Sequence, residues 1–354
     1  MANKKPPLTK PRLWPRQGMP LQFFIAAILC TAAALPDATP VFVAGAPKGL
    51  TYRIPALVRT SRGTLVAFAE ARSGSDCDPK FIVSRRSTDG GSTWGPQQVV
   101  AGDSKSVTGN PTAVYDAVSQ RIVLALVTGG CNPGVDTQVL DDGGSDGTAW
   151  GAPRTIPMGQ YSGALPGPGT ATQLPSGRLL FPAHYGAYVM DVLLFSDDHG
   201  ASWTVGAPRF PLMDEAAVAW VPGSLQTLLI ELRNNHLSPQ KTVGLATSQD
   251  AGLTWTPISY SNPLLSPVCQ SSLVGVEGAV YFSGPHSASS RTNITIFKSA
   301  DGGVSWLSAS FQAQEGASDG YSCMAAGNAT VAGHGSILME GKGTISHALF
   351  PLDF

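Results

Sequence analysis

Four arginines and a few acidic side chains are the residues of this chain best equipped for chemistry, because charge is scarce. Only 13% of its 354 residues are Asp, Glu, Lys or Arg, and the formal net charge is −1. Arg53, Arg72, Arg233 and Arg291 carry planar, permanently charged forks that grip a carboxylate bidentately. A lone arginine is usually a solvated surface charge, so the neighbours matter. Asp76 and Asp78 follow Arg72, Asp214 and Glu215 are adjacent, Glu231 stands two residues before Arg233, and Glu340 lies near the C-terminus. Carboxyl groups of this kind can act as general acids or bases. Tyr321, after Gly320, offers a phenol that titrates near 10 and needs a base before it can attack anything at mild pH.

Other chemistries find no support. The six histidines (His184, His199, His236, His286, His334 and His347) show no metal-ligand spacing, and no Cys-x-x-Cys occurs. No glycine-rich run matches a phosphate loop. A chain without a basic stripe is not expected to bind nucleic acid. No metal and no cofactor are therefore expected.

The elements that must position these residues announce themselves as a repeat. Ser87-Thr-Asp89-Gly-Gly91-Ser-Thr-Trp94 has the form S-x-D-x-G-x-x-W, and it returns at 196–203, 248–255 and 299–306. A worn copy at 143–150 keeps Gly147 and Trp150 but has Ser145 in place of Asp. The tryptophans at 94, 150, 203, 255 and 306 are 56, 53, 52 and 51 residues apart. A period near 50 is that of propeller blades, each a four-stranded antiparallel sheet. The spacing predicts an all-β, six-bladed propeller over residues 41–354, with five boxes, one blade lacking a box, and closure by the two chain ends. Asp bonding nearby N–H groups and Gly permitting positive φ are turn chemistry, so the box aspartates read as structural.

The first forty residues differ. Lys4, Lys5, Lys10, Arg12 and Arg16 precede an apolar run from Leu21 to Leu35, followed by Pro36. This predicts a secretory signal over 1–36; an uncleaved signal anchor is the alternative, and membrane association is expected only in that case. Beyond Cys30, the cysteines Cys77, Cys131, Cys269 and Cys323 form an even set that allows three pairings in an oxidising compartment. Asn293-Ile-Thr295 and Asn328-Ala-Thr330 fit glycosylation acceptors.

The repeats are the Asp boxes found in sialidases and in several unrelated propellers. Thr51-Tyr-Arg53-Ile-Pro55 resembles the arginine-bearing motif at the start of sialidase catalytic domains. Gly63-Thr-Leu-Val-Ala-Phe-Ala-Glu70-Ala-Arg72 continues that pattern. Pro166-Gly-Pro-Gly169 and Leu193–Trp203 are most similar to lysosomal-type sialidases. The resemblance spans about Leu50 to Glu340 and is most specific in its first forty positions.

The resemblance implies an exo-α-sialidase, a glycosidase that retains configuration and removes terminal sialic acids from glycoproteins, glycolipids or oligosaccharides. It implies Arg53, Arg233 and Arg291 as the triad that binds the substrate carboxylate, with Arg72 (and Glu70) lining the pocket. Glu340 matches the late glutamate that orients the first arginine. Tyr321 matches the nucleophile; sialidases depart from the two-carboxylate rule of glycosidases in this way. Glu215 matches its base. Asp214 and Glu231 are the other candidates, and strand alternation is expected to turn only one of Asp214 and Glu215 inward. Asp76 is the acid/base over Asp78 by its spacing from Lys80-Phe-Ile. Cys77 between them departs from common versions of this loop and could tie it down through a disulfide. A non-catalytic sialic-acid-binding propeller, a trans-sialidase and a Kdn-specific enzyme stay open, and a lysosomal or extracellular address is expected. Lysosomal-type relatives are associated with a protective carboxypeptidase, but no feature here calls for such a partner.

Overall fold

The computed structural model describes residues 1, 37–129, 135–186, 190–235, 241–308, 310–325 and 331–354. Residues 2–36, nearly all of the signal expected over 1–36, lie outside the described residues, as do Cys131, His236 and the Asn328-Ala-Thr330 acceptor. Among the described residues no helix is long and apolar enough to cross a membrane.

Six sheets form the blades of a propeller. Blade 1 contains Thr51–Arg59, Leu65–Arg72, Lys80–Ser87 and Gln98–Ala101 in that order from the axis outward. The inner strands of blades 2, 4, 5 and 6 are Thr108–Asp116, Met213–Trp220, Ser272–Val276 and Ser322–Ala325. The sixth sheet is completed by the chain's first strand, since Thr39–Phe42 pairs antiparallel with Ile345–Pro351. This blade is the one without a box.

Blade 3 departs from the expected four antiparallel strands. Its inner strand is broken: Leu165–Pro166 and Thr172–Gln173 pair with Leu179–Tyr185, while Gly169–Thr170 between them crosses to pair parallel with blade 2. Two sheets thereby have five strands. The Pro166-Gly-Pro-Gly169 segment explains the break, since Pro168 has no N–H to donate and Gly167 and Gly169 hold positive φ.

The core is distributed between blades. Each of six apolar clusters combines side chains of two neighbouring blades, as where Tyr52, Leu57 and Val83 meet Phe42, Leu338 and Ile345. Alternating strand patterns supply both faces of each wedge.

The boxes are turns built from their own side chains. In the first, Ser87 Oγ donates to Asp89 Oδ1 at 2.7 Å and accepts from Gly91 N at 2.8 Å, while Asp89 Oδ1 accepts from Thr93 N at 3.0 Å. The same three bonds recur at 196–203, 248–255 and 299–306. The worn copy shifts its donors and acceptors: Asp142 Oδ2 accepts from Gly147 N at 2.8 Å in place of the missing serine, and Ser145 Oγ accepts from Ala149 N at 2.9 Å in place of the missing aspartate. Each box glycine also abuts the blade before it. A Cβ on Gly91 would stand 2.0 Å from His347 Cε1, and one on Gly303 2.4 Å from Leu229 Cδ2.

Candidate active site

The antiparallel meander separates the boxes from the arginines. Each box follows the third strand of its blade, so the start of that strand lies at the opposite face. To that opposite face belong Arg53 at the start of an inner strand, Arg72 at the end of a second strand, and Glu215, Arg233, Tyr321 and Glu340 at corresponding ends. Inner strands of blades 1, 2 and 4 carry bulges there, at Arg53/Ala56, Gly109/Thr112 and Met213/Ala216. A bulge re-aims side chains. Ile54, a β-branched residue, holds φ 58° in the first of them, a strained conformation of the kind kept where surrounding contacts demand it.

Those contacts come from Glu340, which is fully buried. Its carboxylate accepts from Arg53 Nη2 at 2.9 Å and Nε at 3.2 Å, from Ile54 N at 2.7 Å and from Tyr321 N at 3.0 Å. The carbonyl of Asp319 accepts from Arg291 Nη1 at 2.9 Å and from Arg53 Nη2 at 3.4 Å. Both guanidinium groups lie over the Tyr321 ring, 5.0 Å (Arg53) and 5.4 Å (Arg291) from its centroid.

Tyr321 Oη donates to Glu215 Oε1 at 2.5 Å, and Arg233 Nη1 donates to the same phenol at 3.2 Å and to Glu215 Oε2. Burial and the negative charge of Glu215 push the phenol well above 10, with Arg233 offsetting part of this. Tyr321 is therefore a neutral phenol in contact with a carboxylate. Asp214 does not turn away as strand alternation predicts. The bulge between Met213 and Ala216 brings it to Arg233 Nε at 3.2 Å, so both adjacent carboxylates engage one guanidinium. Glu231 is fully buried and makes no ion pair with Arg233; burial pushes it up to about 8, with Glu215 adding to the rise.

On the far side of the cleft, Glu70 organises a second group. It accepts from Arg72 Nε at 2.6 Å and from Asn110 N at 2.7 Å, and Lys80 Nζ lies 3.3 Å away. Arg72 reaches on to Asp76, whose side chain is 72% exposed and so open to a ligand. Burial raises Asp76, but Arg72 outweighs it and the carboxyl is held below its usual range. Asp78 instead closes the loop on Ser75, accepting from its N at 2.7 Å and its Oγ at 2.8 Å. Cys77 is disulfide-bonded, whereas Cys269 and Cys323 are buried free thiols. The even set of four thus does not close into two bridges. Asn110, Lys80 and Asp319 were not singled out for roles by sequence, whereas Asp214 was weighed only as an alternative base. Asp319 stands two residues from Tyr321, and that adjacency was the available signal. Among the described residues no group of His, Cys, Asp and Glu could hold a metal ion.

Fold and site together define a class: a sialidase-type propeller with arginines gathered around a Tyr–Glu pair. The family model for the BNR repeat-like domain matches residues 63–331, and the chain belongs to that family, among the sialidases within it. A sialidase of Bacteroides fragilis is 30% identical over 79% of this chain and 59% of its own length. One from Micromonospora viridifaciens is 29% identical over 72% and 45%, and human Sialidase-4 is 31% identical over 64% and 54%. The chain thus spans about half the length of these curated relatives. The solved structure of the Hadza microbial sialidase Hz136 superposes with a TM-score of 0.78 at 26% identity, covering 89% of this chain and 68% of that one.

Proposed function

We propose that this protein is an exo-α-sialidase that hydrolyses terminal sialic acids from glycoconjugates with retention of configuration. The observation that carries this reading is the Tyr321–Glu215 hydrogen bond of 2.5 Å beneath Arg53, Arg233 and Arg291. A sialic acid bears its carboxylate on the anomeric carbon, so the site must hold an anion beside a developing oxocarbenium centre. Three guanidinium groups meet the first need, and a neutral phenol approaches that centre without the repulsion a carboxylate nucleophile would suffer.

The reaction runs in two steps. Tyr321 Oη forms a bond to the anomeric carbon as the bond to the leaving oxygen breaks; the phenol proton passes to Glu215, and Asp76 protonates the departing oxygen. Water then attacks the same carbon and gives a proton to Asp76, while the phenolate leaves and recovers its proton from Glu215. In the free protein Arg72 keeps Asp76 ionised. An arriving substrate adds a negative charge and excludes water, and both raise Asp76 toward the acid form. The contact with Arg72 supports Asp76 over Asp78, which is committed to Ser75.

The reading is tested with residues 37–354, which keep the closing strand Thr39–Phe42, made in an oxidising compartment and assayed on a fluorogenic α-sialoside from about pH 4 to 7. Cleavage that collapses in folded Tyr321→Phe and Asp76→Asn is the expected result. A folded parent that binds sialosides but never cleaves them, with Kdn substrates and sugar acceptors also tried, overturns it in favour of a lectin. Passage through the secretory route to a lysosomal or extracellular site is part of the proposal, supported by the leader pattern and by the disulfide at Cys77.

A further inference from the structure

We propose that Asp214 is a positioning residue for the reaction above, fixing the Arg233 guanidinium against Tyr321; the inference rests on that reading of the site. Arg233 is held on two edges by adjacent residues. Glu215 takes Nη1, which also reaches Tyr321 Oη at 3.2 Å, and Asp214 Oδ2 faces Nε at 3.2 Å. Two consecutive side chains meet one guanidinium only because the bulge between Met213 and Ala216 suspends strand alternation.

Asp214 is itself anchored. Asn235 Nδ2 donates to its Oδ2 at 2.8 Å, and His184 Nε2 of blade 3 lies 3.9 Å from Oδ1. Its side chain has no exposed surface, so it acts through Arg233 and not on a ligand. With Asp214 neutral, the guanidinium loses its ionic contact at Nε and is held by charge on its Nη1 edge alone, where it meets Glu215 and Tyr321 and about which it can swing. Other charged groups that bear on Asp214 or its neighbours are His184 and Asp191 from blade 3 and Glu231 from blade 4. Burial and Glu215 raise Asp214, while His184 and Arg233 offset them.

Asp214→Asn keeps the shape and removes the charge. Its kcat on an α-sialoside is expected to fall about tenfold to a hundredfold, the scale of a displaced reacting group. The acidic limb of its kcat/KM profile is expected to move to lower pH, because a negative charge has left the Tyr321–Glu215 pair. A merely structural role would lower the melting midpoint and leave that limb in place. Asn235→Ala, which loosens Asp214 but keeps its charge, is expected to lower kcat less and leave the limb unmoved. Folded Asp214→Asn with the parent's kcat and limb overturns the proposal. Should Asp214→Asn fail to fold, Asn235→Ala with the parent's kcat does so. A parent that cleaves no α-sialoside defeats the functional reading separately. The Tyr321 ring signal in isotope-labelled tyrosine NMR, assigned with Tyr321→Phe, then decides: a shift in Asp214→Asn or Asn235→Ala supports positioning, and an unchanged signal in the folded variant overturns it.

Discussion

Arg53 and Glu340 lie 287 residues apart and meet in a bidentate ion pair, Nη2 to Oε2 at 2.9 Å and Nε to Oε1 at 3.2 Å. The same carboxylate accepts the backbone N–H of Ile54 and of Tyr321. One side chain of the closing blade thus sets the first arginine, the strained residue after it and the backbone of the proposed nucleophile. The pair spans the seam between the first and last blades, so closure of the ring and assembly of the site are one event.

Glu340→Gln tests that coupling. It leaves Arg53 without its buried counter-charge and turns an amide N–H₂ toward groups that all donate. Breaking a buried pair in this way costs about 3 kcal/mol or more, which lowers the melting midpoint by roughly 5 °C or more for a domain of this size. Activity on an α-sialoside is expected to fall over a hundredfold even well below the melting transition. Parent-like melting and turnover would show that the pair is incidental.

Local chemistry explains what could be read without coordinates. A box closes through bonds between residues five or fewer apart, so its turn is written in one stretch of sequence and its period counts the blades. Arg53, Arg233, Arg291, Tyr321, Glu215 and Glu340 could be picked out by motif resemblance, and they converge in space. Bulges at Arg53/Ala56 and Met213/Ala216 depend on pairing with another strand and leave no comparable mark. Asp214 was therefore assigned to the wrong side of its strand. The substitution of Asp142 for the serine of the worn box, and the crossing of Gly169–Thr170 to blade 2, were hidden for the same reason. Cysteine count predicted paired thiols, yet Cys269 and Cys323 are buried free thiols, Cys269 packed with Ile54 and Tyr321 and Cys323 within hydrogen-bond distance of Thr170 Oγ1 at 2.9 Å.

Arg72→Gln should change how activity depends on pH. Burial raises Asp76, and Arg72 outweighs it to hold the carboxyl below its usual range. Without the guanidinium, Asp76 keeps its proton to higher pH. If Asp76 is the general acid, the basic limb of kcat/KM moves to higher pH, even as overall turnover falls through loss of a pocket residue. A basic limb that stays in place across the pH–rate series would remove Asp76 from the acid role.

The boxes make a prediction for stability in acid. Hydrogen bonds from Thr93 and Ser87 hold Asp89 down to about 2, and those from Ser202 and Ser196 hold Asp198 to about 2. A carboxyl depressed in the folded state stabilises above its unfolded value near 3.9 and loses that contribution as pH falls through the folded value. The protein should therefore lose stability between about pH 4 and 2. Asp89→Asn and Asp198→Asn should each make that loss shallower while lowering stability at neutral pH. Thermal melts across the acid range in these variants give the comparison.

Glu231 works in the opposite direction. Burial, above all, pushes it up to about 8; Ser271 offsets part of this, and Glu215 adds to the rise while Arg233 opposes it. A carboxyl raised in the folded state contributes fully below its unfolded value near 4.5 and is progressively lost as pH rises to its folded value. Asp191, fully buried beside it and raised by burial and by Asp214, adds a loss of the same sign. Stability should then peak in the mildly acidic range and decline toward about pH 8, the value to which Glu231 is raised inside the fold. Glu231→Gln carries no proton to lose. Its melting midpoint is expected to match the parent's near pH 4.5 and to exceed it near pH 8. A variant whose midpoint tracks the parent's across that interval would place the alkaline loss elsewhere than Glu231.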